Sequence, residues 1–167
     1  MNILNLLFTK DGLTYQIAKN KSIVEEKSYF KDEESPENLI SDKLDEVLLK
    51  QRIDEIHVIS ALNHFTLMPE GFSEHETGFD LIAFNAPVNK ENEELMLSIN
   101  EKFKVQFYYT FPKNFYKKIK DLALPVSFNF SGEKFLNSIQ NKNNKEIHIN
   151  LYHNQCEFFA IDQKKVI

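Results

Sequence analysis

Asn2-Ile3-Leu4-Asn5-Leu6-Leu7-Phe8-Thr9, a turn at Lys10-Asp11-Gly12, and then Leu13-Thr14-Tyr15-Gln16-Ile17-Ala18 form the stretch from which the rest of the architecture is read. The first eight residues carry apolar side chains on both alternating faces, the pattern of a strand covered on both sides and central in its sheet. Asp-Gly accepts a positive φ, so the turn predicts a hairpin, with Leu13, Tyr15 and Ile17 alternating against Thr14, Gln16 and Ala18. A second polar turn, Lys19-Asn20-Lys21, leads into a third extended segment, Ser22 to Phe30, and completes a three-strand meander.

Outward from the meander, Ser35-Pro36 predicts a helix start with Ser35 as N-cap. Leu39, Ile40, Leu44, Val47 and Leu48 recur at helical spacing to about Gln51. Ile56 to Ala61 then reads as a strand, so the chain opens β-β-β-α-β. Phe65 to Met68 is extended and ends at Pro69, and Ser73 with Glu76 has capping-box spacing ahead of a short helix, Phe79 to Phe84. Glu94 to Ile99 and Phe103 to Phe111 pattern as an antiparallel pair, the second with one buried face at Phe103, Val105, Phe107, Tyr109 and Phe111. Pro112 opens a helix carrying Phe115, Ile119 and Leu122. Val126 to Phe130 alternates as a strand, and Ser131 caps a helix holding Phe135, Leu136 and Ile139. Asn141 to Asn144 is a polar linker.

After the linker the opening pattern returns. An offset of 144 sets Ile3 on Ile147, Leu7 on Leu151, Tyr15 on Phe159, Ile17 on Ile161 and Ile23 on Ile167. This is a second copy of the meander, or a chance likeness of two amphipathic hairpins. The expected division is a first lobe with an insertion over 1–144 and the start of a truncated second lobe over 145–167, ending at Lys164-Lys165-Val166-Ile167.

Phe65-Thr66-Leu67-Met68-Pro69-Glu70-Gly71-Phe72, then Phe84-Asn85-Ala86-Pro87-Val88 and Phe107-Tyr108-Tyr109-Thr110-Phe111-Pro112, resemble a family of unknown function found mostly in Bacteroidota. The resemblance implies an α/β mixed sheet of the actin-like ATPase, or ribonuclease H-like, fold, and carries over no catalytic residue. The wider superfamily uses D-x-G at the first turn of each lobe, the Asp serving the metal and the Gly admitting phosphate to backbone N–H groups. Lys10-Asp11-Gly12 fits that pattern in neither register, and Asn154-Gln155-Cys156 has neither residue. Asp11 and Gly12 are therefore the only candidates for a nucleotide contact, and no catalytic residue, cofactor or metal is assigned.

Composition narrows the alternatives. The chain has 167 residues and a net charge of −5, so as a whole it repels polyanions. Lys113, Lys117, Lys118 and Lys120 beside Phe107, Tyr108, Tyr109 and Phe111 are the one candidate nucleic-acid patch, and they read better as the solvated side of a helix and the buried face of a strand. No apolar run approaches the ~20 residues of a membrane span, and a single cysteine suits a reducing compartment, so a cytoplasmic protein is expected. Among His57, His64, His75, His148 and His153, the densest cluster is Glu74-His75-Glu76, which reads as a helix first turn. Cys156 with His153 or His148 lacks any signature of a nucleophilic dyad. The acids from Glu25 to Glu37 flank a strand end and a helix start, and no acid stands in the first strand to anchor a nuclease site. The expected function is a non-catalytic actin-like scaffold or partner-binding module. The alternative is an atypical nucleotide-binding protein or slow ATPase using the 10–12 hairpin. An unknown protein partner, or a second copy joined through a C-terminal edge strand from Cys156 to Ile167, is the expected ligand.

Overall fold

The structure is a computed structural model that describes residues 1–50, 52–71, 77–140, 144–163 and 165–167. Three antiparallel strands open it: β1 (Asn2–Thr9), β2 (Gly12–Lys19) and β3 (Ser22–Phe30). Helix α1 (Leu39–Leu48) crosses over to β4 (Glu55–Ala61), which pairs parallel to β1, and β8 (Val126–Phe130) later pairs parallel to β4. The sheet order β3-β2-β1-β4-β8 puts β1 at the centre, as its two-sided apolar pattern demands.

Between β4 and β8 lies the insertion. It comprises β5 (Phe65–Pro69), α2 (Gly78–Ala83), β6 (Glu93–Asn100), β7 (Val105–Pro112) and α3 (Lys113–Lys120), with a second sheet ordered β5-β7-β6. Helix α4 (Ser131–Ser138) follows β8 and leads to β9 (Glu146–Leu151), β10 (Cys156–Asp162) and β11 (Lys165–Val166), an antiparallel meander of its own. Two apolar cores result. Leu4, Leu6 and Phe8 of β1 and Leu13, Tyr15 and Ile17 of β2 share one sheet face, covered by Leu44 and Val47 of α1 and Ile119 of α3. Phe107 and Tyr109 of β7 meet Phe130, Leu136, Phe159 and Ile161 in the other.

Local expectations shift in several places. Helix α1 starts at Leu39 rather than Pro36, because the Ser35 hydroxyl donates to Asp32 (2.6 Å) and accepts from the Asp32 N–H (3.0 Å), closing a turn ahead of the helix. Ser131 is the first residue of α4, not its cap; its hydroxyl donates to Glu157 instead. Pro112 sits one place before α3 with an extended ψ of 124°. Strand β7 buries both faces, not one, since α2 covers the side bearing Tyr108. Positive φ falls in the second turn, at Asn20 (50°) and Lys21 (68°), and not at Asp11 or Gly12. The Ser73/Glu76 capping box, the Glu74-His75-Glu76 cluster and Asn141 to Asn143 of the linker lie outside the described residues.

The second meander has the connectivity of the first with a longer turn. Thr9 pairs with Gly12 in the first hairpin, whereas Leu151 pairs with Cys156 in the second. An offset of 144 that holds in β9 therefore slips by two residues in β10: Ala18 faces Ile3, and Ala160 faces Ile147.

Candidate functional site

Parallel strands of an open α/β sheet present their carboxyl ends to ligands. Here those ends are Thr9 of β1 and Ala61 of β4, and the turn Lys10-Asp11 stands beside them. Gln155, from the turn between β9 and β10, reaches into this corner. Its carboxamide oxygen accepts from the Lys10 N–H (3.1 Å), its NH2 donates to the Ala61 carbonyl (2.6 Å), and its own carbonyl closes the second turn on the Tyr152 N–H (2.8 Å). His153, in the turn rather than on a strand, stacks on Phe30 with ring centroids 4.1 Å apart and planes at 21°. Below, Tyr152 donates to Glu157 (3.0 Å), which also accepts from Ser131 at the head of α4. The two hairpin tips are thus closed directly onto each other.

The candidates Asp11 and Gly12 each make a close contact with the end of β3. The Asp11 carbonyl accepts from the Lys31 N–H (2.7 Å), and its carboxylate has no hydrogen bond or ion pair among the described residues. A Cβ on Gly12 would lie 2.5 Å from the Phe30 ring and 2.7 Å from the Tyr29 carbonyl, so the glycine is required by the close approach of β3. The turn N–H of Lys10 is taken by Gln155, and the space a Cβ would need at Gly12 by Phe30. Beside the turn opens a cavity of about 610 Å³, floored by Phe8, Ile40 and Phe115 and edged by Lys10 and Lys31.

The remaining candidates are dispersed. His57, His64 and His148 each bond a nearby carboxylate, Glu55 (2.9 Å), Glu93 (3.0 Å) and Glu146 (3.1 Å). Cys156 is exposed and pairs with Leu151, on the sheet face opposite His148. Among the described residues no three His, Cys, Asp or Glu side chains converge as a metal site. Glu25 is held by Lys50 (2.7 Å), and Asp32 by Ser35. In the lysine stretch, Lys118 bonds Asp45 (2.5 Å) and Ser41 (2.9 Å), and Lys113 donates to the Lys90 carbonyl (2.7 Å). Phe107, Tyr108, Tyr109 and Phe111 are buried and offer no stacking platform. Gln155 and Glu157 were not legible as site residues, because Lys10 and Ala61 lie 145 and 94 positions from Gln155 in sequence, and Ser131 lies 26 from Glu157.

A crystal structure of a Bacteroides thetaiotaomicron protein, described as having an actin-like ATPase fold and unknown function, matches with a TM-score of 0.77 at 17% identity. The match covers 99% of this chain and 67% of that one, and it shows the fold: a mixed α/β protein of the actin-like ATPase type. Slighter likenesses, with TM-scores of 0.42 and 0.38, are to a ROK family protein from Streptococcus pneumoniae (14% identity) and a ROK hexokinase from Thermus thermophilus (9%). Each covers the whole of this chain and 48% of the other, too remotely to carry an inference. No curated protein matches the sequence. The family comparison spans residues 1–167, and the chain belongs to the family described as "Protein of unknown function (DUF3822)".

Proposed function

We propose that the chain is a non-catalytic actin-like module that binds a protein partner and does not turn over a nucleotide. The observation that carries this reading is Gln155 occupying both the Lys10 N–H and the Ala61 carbonyl. In a phosphate loop the turn N–H groups are the binding device, and phosphoryl transfer depends almost entirely on positioned groups of this kind. The absence of D-x-G from both turns supports the same reading. Residues 145–167 are then the opening of a second lobe, folded down onto the first, and the working compartment is the cytoplasm.

One observation favours a second reading, an atypical nucleotide-binding protein: the 610 Å³ cavity beside Lys10, Gly12 and Lys31 is of ligand size and is edged by two cations, of which Lys31 donates to the carbonyl of Glu37, a further lining residue (2.7 Å). Calorimetric titration of Mg-ATP separates the two. The expected result is no heat up to millimolar nucleotide, for the wild type and for Gln155→Ala alike. Micromolar binding that Asp11→Ala abolishes would overturn the module reading and make the hairpin a working phosphate site.

A further inference from the structure

The small sheet β11-β10-β9 is covered on one face, and its middle strand β10 carries apolar side chains on both. Phe159 and Ile161 point into the second core, while Ile147, Ile149, Leu151, Phe158 and Ile167 point outward and are 62–76% exposed. The strand register sets them together: Phe158 stands opposite Ile149, and Ile167 bonds back to Ala160, itself opposite Ile147. A strand reading Phe-Phe-Ala-Ile is patterned for cover on both sides. At these exposures the five side chains offer roughly 700 Å² of apolar surface, more than the few hundred Å² that monomers ordinarily expose in one patch.

We propose that this face is the interface of a two-fold homodimer, in which the β9-β10-β11 sheets of two copies pack face to face. The area is near the ~800 Å² per partner of a standard interface. By register Lys145, Asp162 and Lys165 edge this face at one end, with Lys145 and Asp162 paired at 3.4 Å, so both signs of charge are present and neither an acidic nor a basic partner is selected. A face with an apolar centre and both signs of charge at one end is complementary to itself about a two-fold axis, and sheets pack about 10 Å apart in this way. The register also moves the contact away from the C-terminal edge. Strand β10 lies inside its sheet, and the edge beyond it is the two-residue β11. Dimerisation is independent of the nucleotide question, so either reading can fail without the other.

Sedimentation equilibrium on residues 1–167, from micromolar to millimolar, tests it. The mass is expected to rise toward twice 19.6 kDa. Phe158→Lys and Ile149→Lys should each raise the dissociation constant at least tenfold with an unchanged far-ultraviolet circular dichroism spectrum. Phe84→Lys, at an apolar residue 85% exposed elsewhere, should leave it unaltered. A spin label on Cys156, the chain's one cysteine, should report dipolar coupling between copies in the wild type and none in the lysine variants. If either lysine variant unfolds, Ile149→Ser read by the same coupling takes its place. A dimer that survives both lysines pairs through an edge and overturns the proposal. A monomer at millimolar concentration overturns it too.

Discussion

Tyr15 has no accessible surface, yet its hydroxyl lies between two charges: it donates to Glu25 and accepts from Lys50 (2.6 Å), which also bonds Glu25 (2.7 Å). Burial, reinforced by the bond to Glu25, raises the Tyr15 phenol above its ordinary value, and burial does the same at Tyr109 and Tyr152, each with a nearby glutamate adding to the shift. A raised phenol means that the folded state holds its proton more tightly than the unfolded state. Stability is then intact below the unfolded value near pH 10 and falls as pH rises through the folded values. Three of the six tyrosines should therefore ionise late, together with unfolding, in a phenolate absorbance titration. Tyr109 also carries a buried hydroxyl without a partner among the described residues, so Tyr109→Phe should remove one late phenol without loss of stability. Early titration of all six would contradict this. None of these three environments was legible in the sequence, where Tyr15 reads only as one apolar position of a strand; Glu25 and Lys50 reach it from other elements. Gln155 was hidden for the same reason, since a polar residue at a turn tip announces neither its partner nor its distance.

Elements were more legible than their ends. The apolar spacing in α1 identifies the helix and its face, and Leu44 and Val47 are fully buried against β1 and β2. Its start was misplaced because Ser35 has a stronger local partner, Asp32, than the helix N-terminus could offer. Strand β8 ends where its alternation ends, but Ser131 is drawn into α4 by Glu157 from β10, an interaction across the fold. In β7 alternation exposed one buried face and concealed the other, since Tyr108 and Thr110 read as the solvent side until α2 covers them. Leu44→Ala should cost about 2–5 kcal/mol in urea unfolding, the range for truncating a fully enclosed leucine. A cost under 1 kcal/mol would mean that α1 is not seated on the sheet as described.

At the scale of the molecule, the family resemblance of the segments from Phe65 to Pro112, together with the order β-β-β-α-β and the returning meander, anticipated the actin-like fold, whereas the closure of one hairpin tip on the other did not follow from either copy. The two cores differ in cover. The first is enclosed between the five-stranded sheet and its helices, while the sheet over the second is open on its outer face. In a monomer-concentration sample, amides of β9 and β10 should exchange with deuterium faster than those of β1 and β4, through openings that leave the first core intact. Equal protection would show that both cores open as one unit.

The strand order also has a consequence for synthesis. The hairpins of β1, β2 and β3 close as soon as residue 30 is available, and β4 can join β1 once residue 61 has emerged, but the partner of β4 on its other side is β8, complete only at residue 130. At roughly 5–20 residues per second, the ribosome leaves the free edge of β4 waiting for about 3–14 s. During that interval Ile56, Val58 and Ile59 lie on an apolar strand with one edge unpaired on a nascent chain. The insertion between β4 and β8 thus sets how long a growing polypeptide needs shelter from its neighbours.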